Sequence, residues 1–205
     1  VTGPIGLAVE ATYGIIPDQN MAVIEMAQAA GLPSVPKEKR NPLYTTTYGV
    51  GEMIKACIEK GCRKFIVGIG GSATNDAGIG MLKALGYRFL DSKGQDVGEG
   101  GQVLERVHHI DETNVLAGLK VCEFQVACDV NNPLYGPKGA AFIYGPQKGA
   151  TPEIVAHLDA GLKHFAKVTS DFFGEDCSQV EGAGAAGGLG FGFMAFLGGK
   201  LESGI

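Results

Sequence analysis

The sequence predicts an α/β protein, a layered sheet flanked by helices, on three observations. Residues 48–90 run helix, strand, glycine-rich turn, helix and strand, and that alternation is the grammar of a sheet covered by helices. A second strand with period-two alternation, Cys122-Glu123-Phe124-Gln125-Val126-Ala127-Cys128, ends in a polar turn. A long amphipathic helix opens at Thr151, with Pro152 at its first helical position, where the missing N–H costs nothing.

Taken in order, residues 5–16 alternate loosely (Ile5, Leu7, Val9, Ala11, Tyr13, Ile15) and reach a turn at Pro17-Asp18-Gln19-Asn20. Met21-Ala22-Val23-Ile24 can return as the second strand of a hairpin. A short helical stretch at 25–30 ends at Gly31, because Pro33 and Pro36 cannot continue it. The charges of residues 37–42 read as a solvated loop. From Tyr48 to Lys60, Met53, Ile54, Cys57 and Ile58 share one helix face, and Gly61 offers the left-handed cap. Arg63-Lys64-Phe65-Ile66-Val67 is a short apolar strand; Ile79, Leu82 and Leu85 then mark a helix that Gly86 stops. Tyr87-Arg88-Phe89-Leu90 is a further strand, and residues 91–101 are a glycine-rich loop. In the helix from Thr151, Ile154, Leu158, Leu162, Phe165 and Phe172 form the predicted core stripe. Residues 182–190 are a small-residue loop before an apolar helix through Leu197, and no tandem repeat is present.

Composition excludes several classes. With 205 residues, 45% of them hydrophobic and 19% charged, the chain can bury an ordinary globular core. A net charge of −5 and no Lys/Arg cluster argue against a nucleic-acid surface, which needs a basic stripe. The five cysteines, Cys57, Cys62, Cys122, Cys128 and Cys177, are odd in number and form no C-x-x-C pair, so neither a disulfide framework nor a zinc knuckle is signalled. No apolar run is long enough for a bilayer, and no basic-then-apolar signal opens the chain. The expectation is a cytoplasmic protein with reduced thiols and no nucleic-acid or membrane partner.

The chemistry concentrates at Gly68-Ile69-Gly70-Gly71-Ser72-Ala73-Thr74-Asn75-Asp76-Ala77-Gly78, between strand and helix. A glycine-rich turn there leaves backbone N–H groups free at the positive end of a helix dipole, where a phosphate or carboxylate meets ready donors. The plain alternative is that one of Ser72, Thr74, Asn75 or Asp76 caps the helix and the glycines merely permit a tight connection.

Two ligand chemistries compete for this turn. Gly68, Gly70 and Ala73 satisfy G-x-G-x-x-A after a strand, with Asp91 downstream, and Gly182, Gly184 and Gly187 satisfy G-x-G-x-x-G, the pattern of dinucleotide binding. Against it, Cys177-Ser178-Gln179-Val180-Glu181 is a poor strand, and Asp91 leads into a hairpin-like Ser92-Lys93-Gly94 turn. Phosphoryl transfer needs a phosphate cradle, a cation, and carboxylates for Mg²⁺ or for a hydroxyl proton. Gly70-Gly71-Ser72 and Gly184-Ala185-Ala186-Gly187 are candidate cradles, Lys148 is the candidate cation, and Asp76 and Asp129 lie at loop ends. Each has a plain counterpart: Asp76 can complement a helix dipole, Asp129 can initiate an Asx turn, and Lys148 can be solvated.

Together, Gly68-Ile69-Gly70-Gly71-Ser72-Ala73-Thr74-Asn75-Asp76, Ala127-Cys128-Asp129-Val130-Asn131-Asn132-Pro133-Leu134, Phe142-Ile143-Tyr144-Gly145-Pro146-Gln147-Lys148-Gly149-Ala150 and residues 182–190 resemble the type 1 glycerate kinase family. Four long motifs in order make a specific match, and it runs through essentially all 205 residues. The resemblance implies ATP- and Mg²⁺-dependent phosphorylation of D-glycerate, with the 2-hydroxyl favoured, in a two-domain α/β protein nearly twice as long. It makes residues 1–205 a central segment, since the family's Asp-Ser-Phe-Lys, Asp-Gly-Gly-Glu-Gly-Thr and Gly-Glu-Gly-Arg-Leu-Asp motifs have no counterpart here. Where the family shows Asp-Gly-Gly, this chain has Asp76-Ala77-Gly78.

On that resemblance, Gly70, Gly71, Ser72, Thr74 and Asn75 bind an anionic group, with Gly184 and Gly187 as a second cradle. Asp76 or Asp129 engages Mg²⁺ or the substrate hydroxyl, Lys148 neutralises a phosphate, and Asn131 and Asn132 orient the substrate. As a first-turn carboxylate alone Asp76 would contribute well under about 1 kcal/mol, whereas loss of a positioned base costs about 10²–10⁴ in rate. The non-enzyme alternative is an anion- or nucleotide-binding module without turnover, which predicts binding and no ADP release.

Overall fold

A computed structural model describes residues 1–203. Its main sheet has five strands in the order β1 (Tyr13–Ile16), β2 (Met21–Glu25), β3 (Lys64–Gly68), β6 (Glu123–Ala127) and β7 (Lys200–Glu202). β1 is antiparallel to β2, and β2, β3, β6 and β7 run parallel. The crossovers carry helices: α1 (Ala27–Ala30) and α2 (Tyr48–Glu59) between β2 and β3; α3 (Ile79–Ala84) after β3; and α4 (Ala140–Tyr144), α5 (Pro152–Phe173) and α6 (Ala185–Leu197) between β6 and β7. Parallel neighbours need such crossovers, so the predicted layered α/β class is the observed one.

The predicted hairpin forms, but only its second half is regular. Residues 5–12 do not extend the strand, because Gly3 donates to the Leu7 carbonyl at 2.7 Å and a bridge joins Thr2 to Ala8. This local turn leaves Leu7 62% exposed; an alternating pattern interrupted by Pro4 and Gly6 marks a small separate loop. The Pro17–Gln19 turn closes through Asn20 in the left-handed region.

In α2 the predicted face of Met53, Ile54, Cys57 and Ile58 is buried, and Gly61 follows with φ +92°. α2 and α3 approach closely because Gly51 carries no side chain: a Cβ there would lie 2.3 Å from the Met81 carbonyl oxygen. α5 begins as predicted, the Thr151 hydroxyl accepting from the Ile154 N–H. Its stripe is shorter than expected. Leu158, Leu162 and Phe165 are buried, but Phe172 is 41% exposed and Ile154 only partly buried, since the helix outruns the core at both ends.

Phe65 and Phe124 stack across β3 and β6 with centroids 4.8 Å apart. On the helical side Phe89, Phe165 and Phe196 pack edge and face together, which anchors a small ribbon of β4 (Arg88–Leu90) and β5 (His109–Asp111). That ribbon is separate from the main sheet. Among the described residues no helix is long and apolar enough to cross a membrane.

The ribbon removes the dinucleotide reading. A Rossmann unit requires the strand after the first helix to join the same sheet, whereas β4 leaves it and Asp91 folds into a turn, accepting from Lys93 and Gln95. The segment 177–181 forms turns, not a strand. Neither NAD nor NADP at millimolar concentration is therefore expected to raise the thermal unfolding midpoint, since only a ligand that binds the folded state does so; a clear upward shift in a thermal melt would restore the dinucleotide reading.

Candidate active site

In α/β sheets, ligands sit beyond the carboxyl ends of the strands. Here β3 delivers the glycine-rich segment and β6 delivers Cys128 and Asp129 to the same end of the sheet. Between them lies a cavity of about 230 Å³, lined among others by Gly70, Gly71, Ser72, Asp129, Tyr144 and Lys148. Gly70 and Gly71 are exposed, and a Cβ on either would meet nothing within 4 Å. Among the described residues their N–H groups have no hydrogen-bond partner. The turn thus presents two free donors to an open space.

Lys148 is only 2% exposed. It arrives from the Pro146–Lys148 turn after α4, and its Nζ donates to Ser72 Oγ at 2.7 Å and to the Thr74 carbonyl at 2.6 Å. Burial pulls its pKa down to about 7, partly offset by the charge of Asp76. The sequence placed this lysine on a solvated loop or against a phosphate; the structure makes it the floor of the cavity.

Of the two roles the sequence left open for Asp76, the structure shows the helix cap, not the ligand. It is fully buried and does not line the cavity. Its Oδ2 accepts from the Thr47 N–H at 2.9 Å, the Thr47 hydroxyl at 2.8 Å and the Gly80 N–H at 3.3 Å, while Oδ1 accepts from the Gly78 N–H at 3.1 Å. Burial raises its pKa against the lowering effect of these donors. The Thr47 hydroxyl in turn accepts from Met81 N–H at 2.9 Å. Asp76 thus caps α3 and clamps it to the start of α2. Among the described residues no three His, Cys, Asp or Glu side chains gather as a metal site.

The other predicted residues divide in the same way. Ser72 lines the cavity, whereas Thr74 and Asn75 are wholly buried away from it; Thr74 contributes its carbonyl, not its hydroxyl. Asp129 is exposed at the mouth and also lines an adjoining cavity of about 300 Å³ with Asn131 and Glu181. Asn132 is spent internally, accepting from the Tyr144 hydroxyl at 2.6 Å and donating to the Lys138 carbonyl at 2.8 Å. It orients Tyr144, not a ligand.

Gly184 and Gly187 are a brace, not a second cradle. The Gly184 N–H donates to Asn132 O at 2.9 Å, and Gly187 O accepts from Ala77 N–H at 3.0 Å. Gly187 has φ +68°, and a Cβ there would lie 2.0 Å from the Thr74 carbonyl oxygen. Its neighbours Ala185 and Ala186, not the glycines, reach the cavity. Sequence reasoning missed Tyr144, Gln147 and Thr47. The first two adjoin Lys148 in one motif, so they were within reach; nothing local marked Thr47, which acts across the fold.

This arrangement defines an α/β protein with a small polar cavity at the carboxyl end of its sheet. A family model described as the glycerate kinase family matches residues 1–205, and the chain belongs to that family. Curated relatives include a glycerate kinase of Halalkalibacterium halodurans, 51% identical over 205 residues, and a glycerate 2-kinase of Escherichia coli, 50% identical; each match covers 100% of this chain and 54% of the relative. A solved structure assigned to glycerate kinase 2 of Salmonella typhimurium LT2 superposes with a TM-score of 0.96 at 46% identity, covering 98% of this chain and 54% of that one. The chain spans about half the length of the curated relatives it matches.

The clamp at Asp76 has a measurable consequence. In Asp76→Asn an amide nitrogen must face N–H or O–H donors, and a buried donor left unsatisfied costs about 1–3 kcal/mol. The variant is expected to unfold at lower denaturant by that amount even without ligand. A loss under about 0.5 kcal/mol, the range of ordinary surface changes, would contradict the clamp.

Proposed function

We propose that the protein containing this chain transfers a phosphoryl group from ATP to the 2-hydroxyl of D-glycerate, in the cytoplasm. The carrying observation is the buried Lys148 amine beside the open Gly70-Gly71 turn, facing a small cavity with Asp129 at its mouth. Free N–H donors and a buried amine that can take up a proton suit an oxyanion, and catalysis of phosphoryl transfer is mostly positioning and charge stabilisation. Family membership narrows the acceptor to glycerate, and the name of the Escherichia coli relative favours the 2-hydroxyl.

Each residue of the chain then has a task. The Gly70 and Gly71 N–H groups and Lys148 Nζ hold the anionic oxygens, and Ser72 fixes the amine between its own hydroxyl and the Thr74 carbonyl. Tyr144, held by Asn132, fixes the opposite wall. Asp129 is the one predicted carboxylate with access to the cavity, and it accepts the hydroxyl proton or helps hold Mg²⁺, which is commonly bound by one or two carboxylates together with phosphate oxygens. When bound, Mg²⁺ would neutralise phosphate charge. Asp76 acts as a positioning residue, keeping the segment that carries Ser72 and Thr74 in place.

In the full-length protein, Asp129→Asn is expected to lower glycerate-dependent ADP release by about 10²-fold or more, the usual loss for a positioned proton acceptor, with an unchanged thermal midpoint. A loss below about tenfold, equivalent to roughly 1.4 kcal/mol of barrier, would remove Asp129 from the chemistry. Absence of ADP release from the wild type with D-glycerate, ATP and Mg²⁺ would overturn the activity itself.

A further inference from the structure

The Lys148 amine has a feature that phosphate neutralisation alone does not explain. An ammonium group carries three donors. Two are used, on Ser72 Oγ and the Thr74 carbonyl, and neither partner is charged. No carboxylate lies within ion-pair distance of Nζ among the described residues.

The groups around it confirm the isolation. From the glycine-rich segment comes Asp76, whose oxygens are engaged by Thr47, Gly78 and Gly80. From the end of β6 come Asp129, exposed at the mouth, and Cys128, whose thiol donates to the Val130 carbonyl. From α4 comes Tyr144, bonded to Asn132. Arg40 packs its backbone against Gly149 but sends its guanidinium to the Val35 and Leu32 carbonyls. A buried ammonium without a paired anion is costly, and such groups neutralise instead of staying charged.

We propose that the cavity binds its anion together with a proton: a carboxylate, phosphoryl or sulfuryl oxygen of the ligand becomes the counter-ion that Lys148 lacks, and each anion bound brings one proton from solvent onto Nζ. In the empty cavity the neutral amine spends its two N–H groups on Ser72 Oγ and the Thr74 carbonyl; in the loaded cavity the ammonium keeps both bonds and gives its third N–H to the ligand. No covalent bond to carbon, phosphorus or sulfur changes, and only the proton moves. The inference deepens the phosphotransferase reading by giving its anion site a proton balance.

The sign follows from the direction of the shift. The free amine titrates at about 7, and an anion beside it raises that value, so uptake is largest above the free pKa and vanishes below it. The test is calorimetry on the full-length protein with D-glycerate and, separately, sulfate, both of fixed charge across this range, in two buffers of different ionisation enthalpy. Markedly more proton uptake per anion is expected at pH 8 than at pH 6. Lys148→Arg, which keeps a permanent charge, is expected to bind without uptake.

A bound anion that takes up no proton in the wild type at pH 8 overturns the proposal, as does uptake that persists in Lys148→Arg or failure of both probes to bind at millimolar concentration. The wild-type measurement decides even if the variant does not fold. Uptake with sulfate but no binding of D-glycerate would sustain the proton-coupled site and remove the glycerate reading. Glycerate turnover without uptake would do the reverse.

Discussion

The Asp76 carboxylate is the contact on which the site depends. Through four hydrogen bonds it joins the start of α2, the end of the glycine-rich segment and the first turn of α3. A carboxylate that accepts backbone N–H groups supplies strong, charge-assisted bonds, and burial removes the water that would compete for them. The loop between β3 and α3 is long and rich in glycine, and such a loop has much backbone entropy to lose. Fixing it at Asp76, at Gly187 and at the Leu32 N–H bond to Gly71 O lets the exposed Gly70-Gly71 turn keep a single shape with its donors free.

The second constraint is electrostatic. Lys148 reaches the cavity only because α4 and the following turn carry it beneath the glycine-rich segment, where Ser72 and Thr74 receive it. The protein thus holds a buried amine without a counter-ion at the carboxyl end of its parallel strands. A perturbed group of this kind is a common mark of functional sites, where burial and neighbours are arranged to move a group towards neutral pH. The same geometry suits the cavity to a small anion: one buried amine and two glycines with unpaired N–H groups line a space of about 230 Å³.

Much of this was legible in the sequence, because the signals were local. Caps and periodicity located α2, α3 and α5, and the two-residue alternation located β6. The site motifs were legible as motifs, and Ser72, Asp129 and Lys148 do converge on one cavity. What the sequence did not reveal was direction. In a segment such as Ser72-Ala73-Thr74-Asn75-Asp76, whether each polar side chain faces ligand or core depends on partners far along the chain, here Thr47 and Gly187. Asp76 therefore read as a candidate ligand although it is a clamp, and Gly184 and Gly187 read as a cradle although they are a brace. Residues 5–12 and Phe172 misled for a related reason, since alternation and helical spacing say which face a residue takes, not whether anything covers it.

On the proposed function, Gly70, Gly71, Ser72 and Lys148 form the anion-holding side of a phosphoryl-transfer site, with Asp76 outside it. The most direct measurement is a crystal structure of the full-length protein with D-glycerate and a nonhydrolysable ATP analogue. A carboxylate or phosphoryl oxygen is expected within about 3 Å of Lys148 Nζ, a charge-assisted hydrogen-bond distance, with Asp76 still bonded to Thr47, Gly78 and Gly80. Both ligands bound elsewhere with this cavity empty, or Asp76 turned out to coordinate a cation, would contradict it.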